Sequence, residues 1–295
     1  MNWSGLEIAI VGGDERECEI ARLAAETGAT VRAYGFPFLD GGIPGVTQAA
    51  SAAEAMRNAH YALFPIPGLA ADGALYAPAT DEKIVPDEEL LSLLADGAHI
   101  ILGTPDDRLR VAAAATGVEL HEYESDTELM LLRAPAIVEG ALAAAIENTD
   151  VTIHGNEVGV VGQGNIGSLL ARTLNALGAH VHVFARNPVQ RAAAHAAGAT
   201  PHALEELKET AARLVLLYST VPAPVVTRDV LEHMAPGSVV IDLAAPPGGV
   251  DLDAAWELGL KGIWARGLGR RAPVTVGASQ WRGIRRRIEA IKEEQ

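Results

Sequence analysis

EVGVVGQGNIGSLLARTLNALGAHVHVFARNP, residues 157–188, is the stretch on which the reading of the fold turns. A short apolar run reaches Gly162, and Gly162, Gly164 and Gly167 keep G-x-G-x-x-G spacing ahead of a helical pattern. HVHVFA then reads as a second strand. In such a turn the first glycine permits the tight bend, the second admits a pyrophosphate to the backbone, and the third lets helix and strand pack closely. The helix start, with Asn165 and Ile166 between the last two glycines, offers free N–H groups and a positive dipole end to phosphates. A glycine triplet alone is weak, but between a strand and a helix it is a dinucleotide-binding fingerprint.

After the second strand an acidic residue normally accepts hydrogen bonds from the adenosine ribose. Here the chain reads Ala185, Arg186, Asn187. A guanidinium clamps a 2′-phosphate by charge-assisted hydrogen bonds, and no carboxylate is left to repel it. The expected cofactor is therefore NADP(H), the alternative being that Arg186 is a solvated surface residue. Asp242 ends the strand-like SVVID, where open α/β sheets place ligands at the carboxyl ends of their strands, and is expected near the nicotinamide ribose or carboxamide.

Working outward, strand-like runs at 6–11 (LEIAIV), 29–34 (ATVRAY), 61–66 (YALFPI), AHIILG and VELHEY alternate with helical patterns at 15–27, near 52–59, 86–94 and 105–116. Residues 36–47 are Gly/Pro-rich loop, and another long loop follows 66. A helix over about 126–148 is expected to be interrupted at Pro135. A second alternating series runs from Glu157 to about Trp264, through EVGVVG, HVHVFA, RLVLLYS and SVVIDLA. Alternation of this kind implies parallel sheets covered by helices. The expected α/β architecture is two Rossmann-like doubly wound parallel-sheet domains separated by a cleft. Residues 1–135 form a substrate domain, 136–150 a connecting helix and 151–276 the NADP-binding domain. A last helix, 277–293, with Trp281, Ile284 and Ile288 on one side, completes the first domain.

A chain of 295 residues with 49% hydrophobic residues is long enough for two cores. A formal net charge of −15 argues against nucleic acid or an anionic membrane as partner. The single Cys18 excludes an internal disulfide and reads as a small buried hydrophobe; with no clustered Cys/His spacing, no metal site is expected. The N-terminus lacks a basic n-region, no apolar run is read as long enough to span a bilayer, and a soluble cytoplasmic protein is expected.

IAIVGGDERE, VEGALAAAIENTDVTIHGNEV with the glycine turn after it, MAPGSVVIDLAAPPGGVD and LGLKGIWARGL together resemble the A subunit of bacterial dipicolinate synthase. The resemblance covers nearly the whole chain. It implies a two-lobed protein similar to the D-2-hydroxyacid dehydrogenases that uses NADP with a B subunit. The implied reaction oxidises dihydrodipicolinate to dipicolinate during spore formation, in the mother cell, and a homo-oligomer is expected. Where the family tends to have NTIP this chain has STVP, so Ser219, Thr220 and Val221 are carried over as cofactor contacts. Arg133 stands where the family has Asn, and Arg266, Arg270 and Arg271 where prolines and small residues are usual. These departures leave another small carboxylate open as substrate.

A dicarboxylate substrate calls for cations, and a guanidinium matches a carboxylate bidentately. Arg16 and Arg133 are the expected ligands, with Arg266, Arg270 and Arg271 as further candidates; Asp14 either reaches the substrate or caps the following helix. Glu139 is the candidate general base, its partial burial expected to make it useful, or else it favours a helix N-terminus. His154, in TIHGNE, is the second candidate base, or a loop-stabilising residue. A non-catalytic NADP(H)-binding regulatory subunit remains the alternative, because a cofactor fingerprint does not establish turnover.

Overall fold

Two short runs of β-branched and apolar residues, EIAIV and EVGVV, each start a six-stranded parallel sheet. The computed structural model describes residues 3–38, 41–66 and 68–294. Leu39 and Asp40 of the first Gly/Pro-rich loop, Pro67 of the second, and the terminal residues 1, 2 and 295 lie outside them. The chain divides into two units, Met1–Arg133 with Ala272–Gln295, and Ala134–Arg271.

In the first unit the order is β1 (Glu7–Val11), α1 (Glu15–Ala25), β2 (Thr30–Tyr34), β3 (Val46–Gln48), α2 (Ala52–Met56), β4 (Tyr61–Leu63), α3 (Glu88–Leu91), β5 (His99–Leu102), α4 (Asp107–Thr116) and β6 (Glu119–Glu122). The helix α5 (Thr127–Asn148) carries the chain into the second unit. There follow β7 (Glu157–Val161), α6 (Asn165–Ala176), β8 (His180–Phe184), α7 (Pro188–Ala196), β9 (Thr200–His202), α8 (Leu207–Thr210), β10 (Leu216–Ser219), α9 (Arg228–Leu231), β11 (Val239–Asp242), α10 (Leu252–Glu257) and β12 (Lys261–Trp264). The closing helix α11 (Pro273–Glu294) belongs to the first unit.

The strand orders are β3-β2-β1-β4-β5-β6 and β12-β11-β10-β7-β8-β9. Counted from the first strand of each unit, both are the 3-2-1-4-5-6 order of dinucleotide-binding sheets, so the expected pair of Rossmann-like sheets is present. In such an order the direction of winding reverses between the first and fourth strands. The crevice there, beyond the carboxyl ends, is where ligands bind. In the second unit that point lies between β7 and β10, which pair from Val158↔Leu216 to Val161↔Ser219.

Each sheet is buried on both faces, with separate apolar clusters above and below. Ile8 and Ile10 face one cluster and Ala9 and Val11 the other, as a strand's two-residue period requires. Along α6, Gly167, Leu170, Ala171 and Leu174 form the buried stripe at helical spacing. Full burial of each leucine contributes about 1.5–3 kcal/mol.

Three short strands go beyond the sequence reading: β3, part of which falls within the loop read at 36–47, β9 and β12. All are sheet edges, and β3 and β9 have only three residues, too few for periodicity to register. The interruption expected at Pro135 is absent, since α5 continues through it. Proline in a helix interior costs about 3 kcal/mol. Leu129 anchors one half of the helix in a first-unit core, and Val138, Ala141 and Ala145 anchor the other half in a second-unit core. That packing offsets the proline. α5 is also long and apolar enough to cross a membrane, with an 18-residue stretch of mean hydropathy 1.7, contrary to the expectation that no run is. Leu129, Val138, Ala141 and Ala145 are taken up by the two cores, whereas Leu131 and Ile146 are exposed.

Candidate functional site: a dinucleotide cradle

At the end of β7 the three glycines meet three different demands. Gly162 has φ +99°, and a Cβ there would lie 2.3 Å from Thr220 Oγ1 and 2.9 Å from Val221 Cγ2. A Cβ on Gly167 would lie 2.2 Å from the Gly162 carbonyl oxygen, so α6 starts hard against the turn. Gly164 differs: its φ is −83°, and a Cβ there would meet nothing within 4 Å. It is the N-cap of α6 and supplies no side-chain cap, which leaves the first-turn N–H groups of Asn165, Ile166 and Gly167 to serve a ligand.

Around this turn, among the described residues, two buried polar atoms have no hydrogen-bond partner: Gln163 Oε1 and Ser219 Oγ. Ser219 ends β10 and is fully buried, and Thr220 beside it donates from Oγ1 to the Val161 carbonyl at 2.9 Å. A buried polar atom without a partner costs about 1–3 kcal/mol, and such atoms beside an open helix N-terminus mark a place built for a polar ligand. The arrangement fits a dinucleotide pyrophosphate. Gln163 was not singled out in the sequence; its place inside the glycine turn was the available signal.

Arg186 follows β8 and is exposed, and among the described residues its guanidinium has no ion-pair partner. The loop carrying it is held from both sides. Arg191 Nη1 donates to the carbonyls of Ala185 at 2.9 Å and Arg186 at 2.7 Å, while Asn187 Oδ1 accepts from the Val189 N–H at 2.8 Å and caps α7. Arg191, which the sequence reading passed over, therefore fixes the backbone from which Arg186 projects.

Asp242 serves a different purpose from the cofactor contact expected of it. It is 1% exposed, and both carboxylate oxygens are taken: Oδ1 accepts from Ala244 N at 2.9 Å, and Oδ2 from Gly249 N at 2.7 Å and Val250 N at 3.2 Å. These bonds fold the Pro-Pro-Gly-Gly turn back over the strand end. Gly249 is thereby brought so close to β10 that a Cβ would lie 2.4 Å from both Ser219 Oγ and the Val221 carbonyl. Asp242 shapes one wall of the crevice through the backbone.

His154 is also corrected. It precedes β7, so the five-residue strand separates it from the glycine turn by roughly 16 Å at about 3.3 Å per residue. Its Nδ1 lies 3.0 Å from the Leu177 carbonyl oxygen, and its ring packs over Gly178, whose added Cβ would come within 2.2 Å of it. That is a loop-stabilising role at the amino edge of the sheet. Glu139 lies inside α5, away from any helix start, and is exposed where partial burial was expected; its carboxylate pairs with Arg271. Arg266 stacks 5.3 Å from the Trp264 ring centre, and Arg270 is exposed on the turn before Arg271.

In the first unit Asp14 caps α1 in a reciprocal box with Glu17: Asp14 accepts from the helix's first turn, and Glu17 Oε2 accepts from Asp14 N at 2.7 Å. Arg16 grips Asp14 bidentately, Nε to Oδ1 at 2.7 Å and Nη2 to Oδ2 at 2.8 Å, and both side chains are buried. Burial pushes the Glu17 carboxyl up to about 7, against the opposing pull of Arg16. Its D-x-x-E spacing was the unused sequence signal. Arg133 is likewise held by Glu124, Nη2 to Oε1 at 2.5 Å and Nη1 to Oε2 at 3.2 Å. Cys18 donates to the Pro37 carbonyl at 2.8 Å, and burial pushes its thiol up to about 11, far from a nucleophile's range.

Comparison with known proteins agrees with this geometry. Residues 7–124 match the N-terminal domain of the dipicolinate synthase A subunit, and residues 136–246 match the NAD binding domain of D-isomer specific 2-hydroxyacid dehydrogenases. A nicotinamide dinucleotide is therefore the cofactor class of the second unit. The A subunit of Bacillus subtilis dipicolinate synthase is 32% identical over 275 residues, 93% of each chain. The crystal structure of its counterpart from Bacillus halodurans, also a dipicolinate synthase A subunit, superposes with a TM-score of 0.90 at 31% identity, covering 97% of this chain and 98% of that one. A transhydrogenase from Sinorhizobium meliloti shares the fold at 17% identity, with a TM-score of 0.71. On matches spanning nearly its entire length and both of its units, the chain belongs to the family of dipicolinate synthase A subunits.

Proposed function

We propose that this chain is an NADP-dependent dehydrogenase that oxidises dihydrodipicolinate to dipicolinate, acting with a B subunit. The observation that carries the cofactor choice is the exposed Arg186 guanidinium, without an ion-pair partner among the described residues, at the end of β8. A 2′-phosphate supplies the missing anion. The N–H groups of Asn165, Ile166 and Gly167 would hold the pyrophosphate, with Gln163 and Ser219 offering polar atoms that have no other partner. Bound NADP supplies the acceptor for a hydride. The substrate loses that hydride and one proton and becomes an aromatic ring, so NADPH and a proton accompany each product.

The first unit, with α11, is the proposed substrate domain. Its cations are already engaged, and the energetics separate them. Breaking the buried Arg16–Asp14 pair would cost about 3–5 kcal/mol. Arg133 exchanges partners more cheaply, since the Glu124 side chain is 41% exposed and can be hydrated when a substrate carboxylate displaces it. Arg133 is therefore the proposed carboxylate ligand. Glu139, with Arg271 as its cation, is the proposed proton acceptor. Replacing Glu139 with Gln should lower turnover at least tenfold and leave NADPH affinity within about twofold; unchanged turnover would remove it from the reaction.

A second reading, in which this chain binds NADP(H) and a partner performs the chemistry, is favoured by one observation: neither Glu139 nor His154 is a buried base. One assay separates the two. Dihydrodipicolinate is generated in situ from pyruvate and aspartate semialdehyde without air, and NADP reduction and dipicolinate are followed with the chain alone, with the B subunit present, and with Gly164→Val in each. Product from the chain alone establishes the dehydrogenase. Product that needs the partner but is indifferent to Gly164→Val places the chemistry elsewhere, and tight NADPH binding with no product in any mixture sinks the substrate assignment.

A further inference from the structure

On the opposite edge of the first sheet, three side chains from two strands converge on one point. β5 and β6 pair in parallel with His99 against Glu119 and Ile101 against His121. Residues two apart on a strand share a face, so Glu119 and His121 project together, and His99 joins them from the neighbouring strand. His99 Nδ1 lies 3.1 Å from His121 Nε2 and 3.5 Å from Glu119 Oε2, and His121 Nε2 lies 3.9 Å from the same oxygen. The circumcentre of a triangle with these sides is about 2.0 Å from each corner, which is the bond length of zinc to imidazole nitrogen or carboxylate oxygen.

We propose that His99, Glu119 and His121 bind a divalent transition-metal ion of the zinc class, with the fourth position left to water. Two imidazoles and a carboxylate are a borderline-hard donor set that suits zinc or cobalt better than calcium or magnesium, which take oxygen. Tyr61 stacks on His99 with ring centres 5.4 Å apart and orients it.

The other histidine pair shows what a simple hydrogen-bonded arrangement looks like here. His182 spends Nδ1 on His202 Nε2 at 2.9 Å and its other nitrogen on Glu157, so the three groups form a chain with no common centre. The metal site lies at the amino ends of β5 and β6, whereas ligands of such sheets bind at the carboxyl ends. Its role is accordingly to clamp the edge strand β6, which has one neighbouring strand, to β5.

The test uses the tag-free full-length chain, stripped with chelator and titrated calorimetrically with Zn²⁺, and spectroscopically with Co²⁺. The expected result is one equivalent bound, with the visible bands of a four-coordinate cobalt site and a higher unfolding temperature in Zn²⁺. His121→Gln and Glu119→Gln should each weaken binding by about tenfold or more, on the scale of losses seen when metal-site residues are changed. Glu119 is exposed, so its variant folds whatever His121→Gln does. His202→Gln should bind as the parent does. Absence of saturable one-to-one binding, binding indifferent to both ligand variants, or binding lost in His202→Gln would each overturn the site.

Discussion

At the scale of single residues, the proposed preference for NADP over NAD, two cofactors that differ by one phosphate, rests on Arg186. Hydrogen bonds to charged groups contribute about 1.5–3 kcal/mol each. Arg186→Asp should therefore weaken NADPH binding by at least about tenfold while NADH binding improves, as read by fluorescence titration; an unchanged preference would return Arg186 to the solvated surface. Glu17 makes a different point, since its carboxyl is held at about 7 by burial against an ordinary 4.5. Between those values the folded chain keeps a proton that the unfolded chain has lost, so stability falls as pH rises through the window and the full cost is present above about 7. Glu17→Gln retains an acceptor for the Asp14 N–H and carries no charge. It should be more stable than the parent at pH 8, by on the order of 2–3 kcal/mol, and should lose that advantage near pH 5. Urea unfolding at the two pH values decides it, and an equal difference at both would refute the burial account.

Among the elements, the α1–α11 contact joins distant parts of the chain. Trp281, Ile284, Ile288 and Ile291 of α11 enter the same cluster as Ile20, Ala21 and Ala24 of α1, and Trp281 meets Trp3 edge-on at 5.6 Å. Closeness here depends on Gly277, where a Cβ would sit 2.5 Å from the Arg16 carbonyl oxygen and 2.9 Å from Glu19 Cβ. Backbone cannot yield as a side chain does. Gly277→Val should cost about 1–3 kcal/mol and lower the melting temperature by several degrees, whereas Val274→Ser one turn earlier, at a 64% exposed position, should change little. Calorimetric scans of both variants check this. α5 shows the converse, a helix that keeps a proline because two cores grip its halves.

For the molecule as a whole, one strand order is used twice, yet the two glycine turns have diverged. Gly164 leaves the turn after β7 open, while the turn after β1 is closed over by Glu17, whose side chain stands within 2.3 Å of where a Gly13 Cβ would be. The second unit is thus the one equipped to bind a dinucleotide. NADPH at about 100 times its dissociation constant should stabilise the chain by about 2.7 kcal/mol. Thermal unfolding with and without NADPH should show that gain, and Arg186→Asp at the same concentration should lose about half of it or more; no shift in the parent would remove the cofactor from this chain.

The amino-acid sequence by itself determined the two alternating βα series, the central strands and the dinucleotide turn, because these rest on local causes: apolar runs, glycine spacing and a helix start. It also marked Gly162, Gly164 and Gly167, whose places in the turn follow from position along a strand-turn-helix unit, and it pointed to Arg186 for the proposed 2′-phosphate contact. Only the tertiary structure decided which polar residues are already spent. Asp14 holds a helix and Arg16, Arg133 is held by Glu124, Asp242 folds a turn, and His154 lies at the wrong end of its strand. The edge strands β3 and β9 were too short to carry a period, and they exist because a neighbouring strand offers hydrogen bonds. The convergence of His99 with Glu119 and His121 is decided the same way. The first two lie twenty positions apart in sequence, and parallel pairing across the sheet sets them side by side.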